Sequence, residues 1–180
     1  MKIISGKYKG RTIEGFTIDG TRPTMDRVKE SLFAMIQSYL VDSKVLDLFS
    51  GSGNLAFEAL SEGASFAVLV DSNYKAIKVI DNNIKTISIE NTKVLNMDYK
   101  KALESLKDEK FDIIFLDPPY KTNYIEESIK LISKYNVLSN KGIIVCESDN
   151  LDRIIYDDNY KCIKDRKYGD KYIVILKKVC

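Results

Sequence analysis

The sequence predicts an α/β protein. It consists of a mostly parallel seven-stranded sheet with helices on both faces, a C-terminal antiparallel hairpin, and a small N-terminal β-hairpin and helix extension. Three observations carry that expectation. From Lys44 onwards, short β-branched runs alternate with amphipathic stretches of helical period. A glycine turn, Ser50-Gly51-Ser52-Gly53, follows the first of those runs directly. Four acids, Asp47, Asp71, Asp98 and Asp117, stand at or just past four successive run ends. Parallel sheets bind ligands at that rim.

Composition bounds the problem. At 180 residues, 44% hydrophobic and 30% charged, the chain suits one compact unit with a full core. It divides into an N-terminal hairpin and helix, residues 1–40, and an alternating strand–helix part, residues 41–180. The start of the chain lacks the apolar stretch of a signal peptide, and no apolar run reaches membrane-spanning length. A cytoplasmic monomer without membrane contact is expected. The three cysteines are widely spaced and there is no histidine, which argues against a disulfide framework, a metal site and Ser-His-Asp chemistry. The net charge of +2 is unevenly spread: residues 1–30 carry +3 and residues 160–180 carry +5, leaving −6 between them. Basic ends suit a polyanion, or are simply solvated lysines.

In chain order, residues 2–14 read as two short strands around Gly6-Lys7-Tyr8-Lys9-Gly10. Basic and aromatic side chains at such a tip can hold phosphates and stack on a base; an exposed hairpin with lysines guarding its edge is the plain alternative. Pro23 holds Arg22 extended, and Thr24 reads as an N-cap with Asp26 in the first turn. Val28, Leu32, Phe33, Met35, Ile36, Tyr39 and Leu40 then mark one apolar helix face. Arg27 and Lys29 sit near the helix start, where the dipole disfavours cations, which hints at an anionic partner.

The alternation begins with a strand over residues 45–49, the glycine turn and a helix over 54–62. A strand over 66–70 and a helix over 74–87 follow, then a strand over 92–96 and a helix over 101–106. The fourth strand, 111–116, runs into Asp117-Pro118-Pro119-Tyr120. A helix over 124–134, a strand over 142–147 and a hairpin of 160–164 with 171–177 complete the chain.

The Asp117 corner is the chemically pointed element. Two prolines stop the strand and remove two backbone donors. What remains presents carbonyl oxygens, one carboxylate and an aromatic face, which fit a flat amine-bearing ring. Repulsion among four gathered carboxylates is poorly explained by solvation alone. A ligand with hydroxyls, amines and a positive centre explains it better. The loop after Asp47 resembles nucleotide loops, with Ala56 at the third glycine position, and Asp71 lies roughly 20 residues on, as a ribose-binding acid does.

These pieces resemble class I methyltransferases: Asp47 to Gly53 their first motif, Asp71 their ribose acid, Asp98 their adenine-side acid. Asp117-Pro118-Pro119-Tyr120 resembles the (Asp/Asn)-Pro-Pro-(Tyr/Phe) motif of enzymes that methylate exocyclic or amide nitrogens. Ile4 to Arg11, Arg22-Pro23-Thr24 and Asp26 to Phe33 are similar to the RsmD family of 16S ribosomal RNA guanine-N2 methyltransferases, as is Tyr168-Gly169-Asp170. The resemblance runs from residue 3 to about Tyr172, with Ser31 and Asn54-Leu55 as small departures. It implies a Rossmann-like fold, S-adenosylmethionine as cofactor, and 16S ribosomal RNA or the small ribosomal subunit as partner. Thr24, Asp47, Ser50, Gly51, Ser52, Gly53, Asp71, Ser72 and Asp98 would hold the cofactor. Lys7, Lys9, Arg11, Arg22, Arg27 and Lys29 would face RNA.

In this reading Asp117 and the Pro118 carbonyl hold the target amine, Pro119 stiffens the corner and Tyr120 stacks on the flipped base. Pyrimidine C5 methylation needs a cysteine nucleophile, and none stands near the corner; Cys146 and Cys162 read as packing residues. An adenine-N6 methyltransferase, a protein-glutamine methyltransferase and a non-catalytic RNA-binding protein remain as rivals.

Overall fold

The structure is a computed structural model describing residues 1–16 and 23–179, with backbone only at residues 23–25. Arg22 lies outside the described residues, as does the side chain of Thr24. Among the described residues, seven strands form one sheet: β1 (Lys44–Asp47), β2 (Phe66–Asp71), β3 (Thr92–Asn96), β4 (Phe111–Leu116), β5 (Leu138–Ser148), β6 (Tyr160–Tyr168) and β7 (Lys171–Lys178). Their order is β3-β2-β1-β4-β5-β7-β6. The first five run parallel, and β7 enters antiparallel between β5 and β6. The order reverses between β1 and β4, so their carboxyl ends flank the crevice where such sheets take ligands.

Helices α1 (Pro23–Met35), α2 (Gln37–Leu40), α3 (Asn54–Ser61) and α4 (Tyr74–Ile87) lie on one side of the sheet, and α5 (Tyr99–Ser105) and α6 (Tyr124–Tyr135) on the other. The period of two explains how both sides are filled. Val45, Ala67, Ile113, Phe115, Ile143 and Ile173 pack towards the first layer, while their chain neighbours Leu46, Val68, Ile114, Leu116, Ile144 and Val174 pack towards the second. Near-continuous apolar strands are the consequence of burial on both faces.

The N-terminal segment departs from expectation. It makes no two-stranded hairpin, only a bridge between Lys2 and Thr12 with neighbouring backbone bonds such as Ile3 N–H to Arg11 O, 2.9 Å. Its turn docks on the end of α3 instead. Lys7 N–H donates to Ser61 O at 2.8 Å and Tyr8 N–H to Ser61 Oγ at 2.9 Å. Gly6, at φ +86°, is required there, because a Cβ would stand 1.8 Å from Ser61 O. Tyr8 is consequently buried in the core, not displayed for stacking on a base. Helix α1 starts at Pro23, a residue suited to the first helical position, so Thr24 falls in the first turn and not at the cap. Cys162 is exposed on β6 and is no packing residue, whereas Cys146 is buried.

Candidate active site

The carboxyl rim of the sheet carries the site. Two adjoining cavities, of about 220 and about 510 Å³, share Phe16, Phe49, Gly51, Asp117 and Lys171 on their walls. Asp47, Ser50, Ser52 and Glu147 line the smaller one. Asp71, Ser72, Asp98 and Pro118 to Tyr120 line the larger.

Local chemistry shapes the glycine loop. Ser50 is buried and its hydroxyl donates to Asp47 O at 2.9 Å. Gly51 N–H donates to Asp71 Oδ2 at 2.9 Å, so the second strand's acid braces the first strand's loop. The other oxygen, Asp71 Oδ1, accepts from Asn73 N–H at 2.8 Å. Gly51, at φ +57°, has open space where a Cβ would project. Gly53, at φ +88°, is obligatory for a different reason: a Cβ would lie 2.5 Å from the Phe57 ring. Asp98 caps α5 by accepting from Lys100 N–H at 2.9 Å.

Asp47 is 1% exposed and its Oδ1 finds no hydrogen-bond partner among the described residues. Burial, and then the charge of Asp71, push its carboxyl up to about 7 against the pull of the Phe49 and Ala56 backbone N–H groups. An orphaned buried acceptor on a cavity wall needs a donor, and a cationic one suits it best. Aromatic faces complete the larger cavity. Phe49 and Tyr124 stack with centroids 6.0 Å apart, and Tyr99 tilts against both at 5.2 and 4.9 Å. The Tyr99 hydroxyl donates to Glu127, which fixes the ring. Acids for an ammonium and hydroxyls, an open glycine cradle and flat apolar walls fit the chemistry of S-adenosylmethionine.

At the corner, Asp117 is part-buried, Pro118 buried and Tyr120 43% exposed. Asp117 sits across the β1–β4 pairing from Asp47, whose register partner is Phe115. Burial, reinforced by the Glu147 carboxylate, holds the Asp117 carboxyl well above the ordinary range; Lys171 opposes the rise.

The basic residues are dispersed. Lys29 was expected at an RNA surface, but it is 2% exposed, with Nζ 3.0 Å from Glu58 Oε1, 2.8 Å from Asn54 Oδ1 and 2.7 Å from Lys2 O. It cannot reach a phosphate. Lys7, Lys9 and Arg11 are exposed, but their turn docks at the far end of α3 from the cavities. Lys7 and Arg11 also stack on Tyr8, and Arg11 donates to Ile87 O at the end of α4. Arg27 is exposed. Sequence reasoning missed Glu147, Lys171, Phe49, Tyr99 and Tyr124. Glu147 was findable, because it stands near the end of the fifth strand, as the other acids stand at or just past the ends of the first four.

A sheet of this order with a glycine loop after β1 is the fold of Rossmann-like, S-adenosylmethionine-dependent methyltransferases. The solved structure of yhhF from Escherichia coli matches it with a TM-score of 0.88 and 30% identity, covering 99% of this chain and 97% of that one. The sequence profile described as Conserved hypothetical protein 95 matches residues 1–177. Ribosomal RNA small subunit methyltransferase D of Haemophilus influenzae is 34% identical, covering 94% of this chain and 89% of its own. YlbH of Bacillus subtilis is 41% identical over 83% of each chain. The chain belongs to the RsmD family, that of ribosomal RNA small subunit methyltransferase D.

Proposed function

We propose that this methyltransferase modifies the exocyclic N2 amine of a guanine in 16S ribosomal RNA, on naked RNA or an assembling small subunit in the cytoplasm. The observation that carries the reading is the Asp117-Pro118-Pro119-Tyr120 corner at the β1–β4 crevice, beside a cavity fitted to the cofactor. S-adenosylmethionine, when bound, supplies an electrophilic methyl group. Asp47 would take its ammonium, Asp71 its ribose hydroxyls, and Ser50 to Gly53 its methionine part, with Ser72, Asp98 and Thr24 completing the contacts.

The chain's own residues prepare the nucleophile. A guanine amine is a poor one, because its lone pair is delocalised into the ring. Hydrogen bonds to the Asp117 carboxylate and the Pro118 carbonyl favour a pyramidal amine with a free lone pair. Tyr120, exposed beside them, offers a face on which a flipped base stacks. Residues 1–40, with Lys7, Lys9, Arg11, Arg22 and Arg27, would add phosphate contacts at a distance from the target base. The names of the relatives support ribosomal RNA as substrate. Nucleoside mass spectrometry of small-subunit RNA from a deletion strain tests the reading: loss of one N2-methylguanosine supports it, and loss of N6-methyladenosine overturns it.

A further inference from the structure

Three strands deliver charged groups to one point on the rim. Leu116 of β4 pairs with Cys146 of β5, which sets Asp117 beside Glu147. On the other flank Glu147 pairs with Ile173 and Ser148 with Tyr172 of β7. Because β7 is antiparallel, its first residue, Lys171, arrives where the parallel strands end. Lys171 Nζ lies 3.0 Å from Glu147 Oε1, both side chains being largely buried. All three groups line the smaller cavity, and the Glu147 charge, after burial, is what raises the Asp117 carboxyl most. Two carboxyl groups can share a hydrogen bond only when one carries a proton. None of the cofactor contacts or amine contacts assigned above uses Glu147 or Lys171.

We propose that Glu147 and Lys171 are positioning residues that set the protonation of Asp117, and that the Asp117–Glu147 pair stores the proton shed by the methylated amine. This rests on the methyl-transfer reading above. Once the amine has gained its methyl group it is cationic. Its N–H bond breaks, the electron pair stays on nitrogen, and the proton goes to an Asp117 oxygen, where Glu147 shares it. Release to water resets the pair. Lys171 makes the unprotonated pair tolerable by leaving one net negative charge instead of two.

The other groups facing Asp117 are Asp47 from β1, which raises its carboxyl further, and Tyr120, whose hydroxyl feels the Lys171, Glu147 and Asp117 charges. Burial works against the Lys171 charge, but the adjoining carboxylates hold its ammonium above the ordinary lysine range. The cation of the trio therefore stays constant while the Asp117 carboxyl titrates.

Two variants test the assignment in opposite directions. Glu147→Gln removes the neighbouring charge and should move the Asp117 titration to lower pH. Lys171→Met removes the cation and should move it to higher pH, each by about 1–3 pH units. Carboxyl carbon NMR of the full-length protein, without cofactor or RNA and with the Asp117 signal assigned by Asp117→Asn, reads this directly. The acid limb of kcat for methyl transfer to small-subunit particles should shift the same way, with little change in cofactor affinity. Titrations that do not move, or that move together, overturn the inference even if both proteins are active. An inactive wild-type enzyme overturns the methyl-transfer reading instead, and the proton-storage step with it.

Discussion

Lys29 Nζ stands 3.0 Å from Glu58 Oε1, and both side chains are almost wholly excluded from solvent. The same carboxylate accepts the backbone N–H groups of Ile4 at 2.9 Å and Ser5 at 3.1 Å. One buried ion pair thus fastens the N-terminal segment to α1 and α3. Removing one partner strands the other charge, so Lys29→Met should destabilise the protein by about 3–5 kcal/mol, lowering Tm by roughly 10 °C or more. Calorimetric unfolding checks this, and an unchanged Tm would mean that Lys29 does not bear on stability.

Asp47 makes stability depend on pH. Its folded carboxyl titrates near 7, against an ordinary value of 3.8. The folded state therefore holds a proton that the unfolded chain releases between about pH 4 and 7. Stability from this group is complete below that window and lost as pH rises through it. Asp47→Asn lacks the titration and should be the more stable protein above pH 7, by about 3–5 kcal/mol, with the difference shrinking towards pH 4. The same variant should bind S-adenosylmethionine more weakly. Tm measured against pH for the two proteins decides the first point and calorimetry the second.

Asp71 braces Gly51, and under the proposed function its remaining lone pairs would take ribose hydroxyls. Asp71→Ala should weaken cofactor binding roughly ten- to a hundredfold while the protein stays folded. Unchanged affinity in titration calorimetry would take Asp71 out of the site.

Asp117 separates geometry from charge. Asp117→Asn keeps an acceptor oxygen, and the motif that this corner resembles admits asparagine, so measurable turnover is expected. Asp117→Ala removes the contact and should lower kcat by roughly 10²–10³, with cofactor affinity largely kept. Single-turnover methyl transfer compares them, and wild-type rates in the alanine variant would reduce the corner to a turn.

Lys7 and Lys9 remain exposed at the α3 end of the molecule. Changing both to glutamate should weaken RNA binding and flatten the log–log salt dependence by about 0.7–0.9 per lost phosphate contact. Cofactor affinity should not change, because the turn stands a helix length from the cavities. A wild-type salt slope would leave these lysines merely solvated.

The sequence by itself determined the alternating layers, the glycine loop, the strand-end acids and the proline corner. Each is a local pattern: a period, a breaker or a charge at the end of an apolar run. The spans 74–87 and 92–96 agree with α4 and β3 to the residue for that reason. Tertiary structure alone decided which charges are solvated and which groups meet. Lys29 and Lys9 look alike in sequence, but only Lys29 meets a buried carboxylate, brought by α3. Tyr8 sits in a basic turn, but Ser61 at the end of α3 draws that turn onto the core. Glu147 and Lys171 meet because β7 inserts next to β5, ahead of β6. Strand order is settled by competition among whole-sheet packings, and no residue's neighbours in sequence encode it.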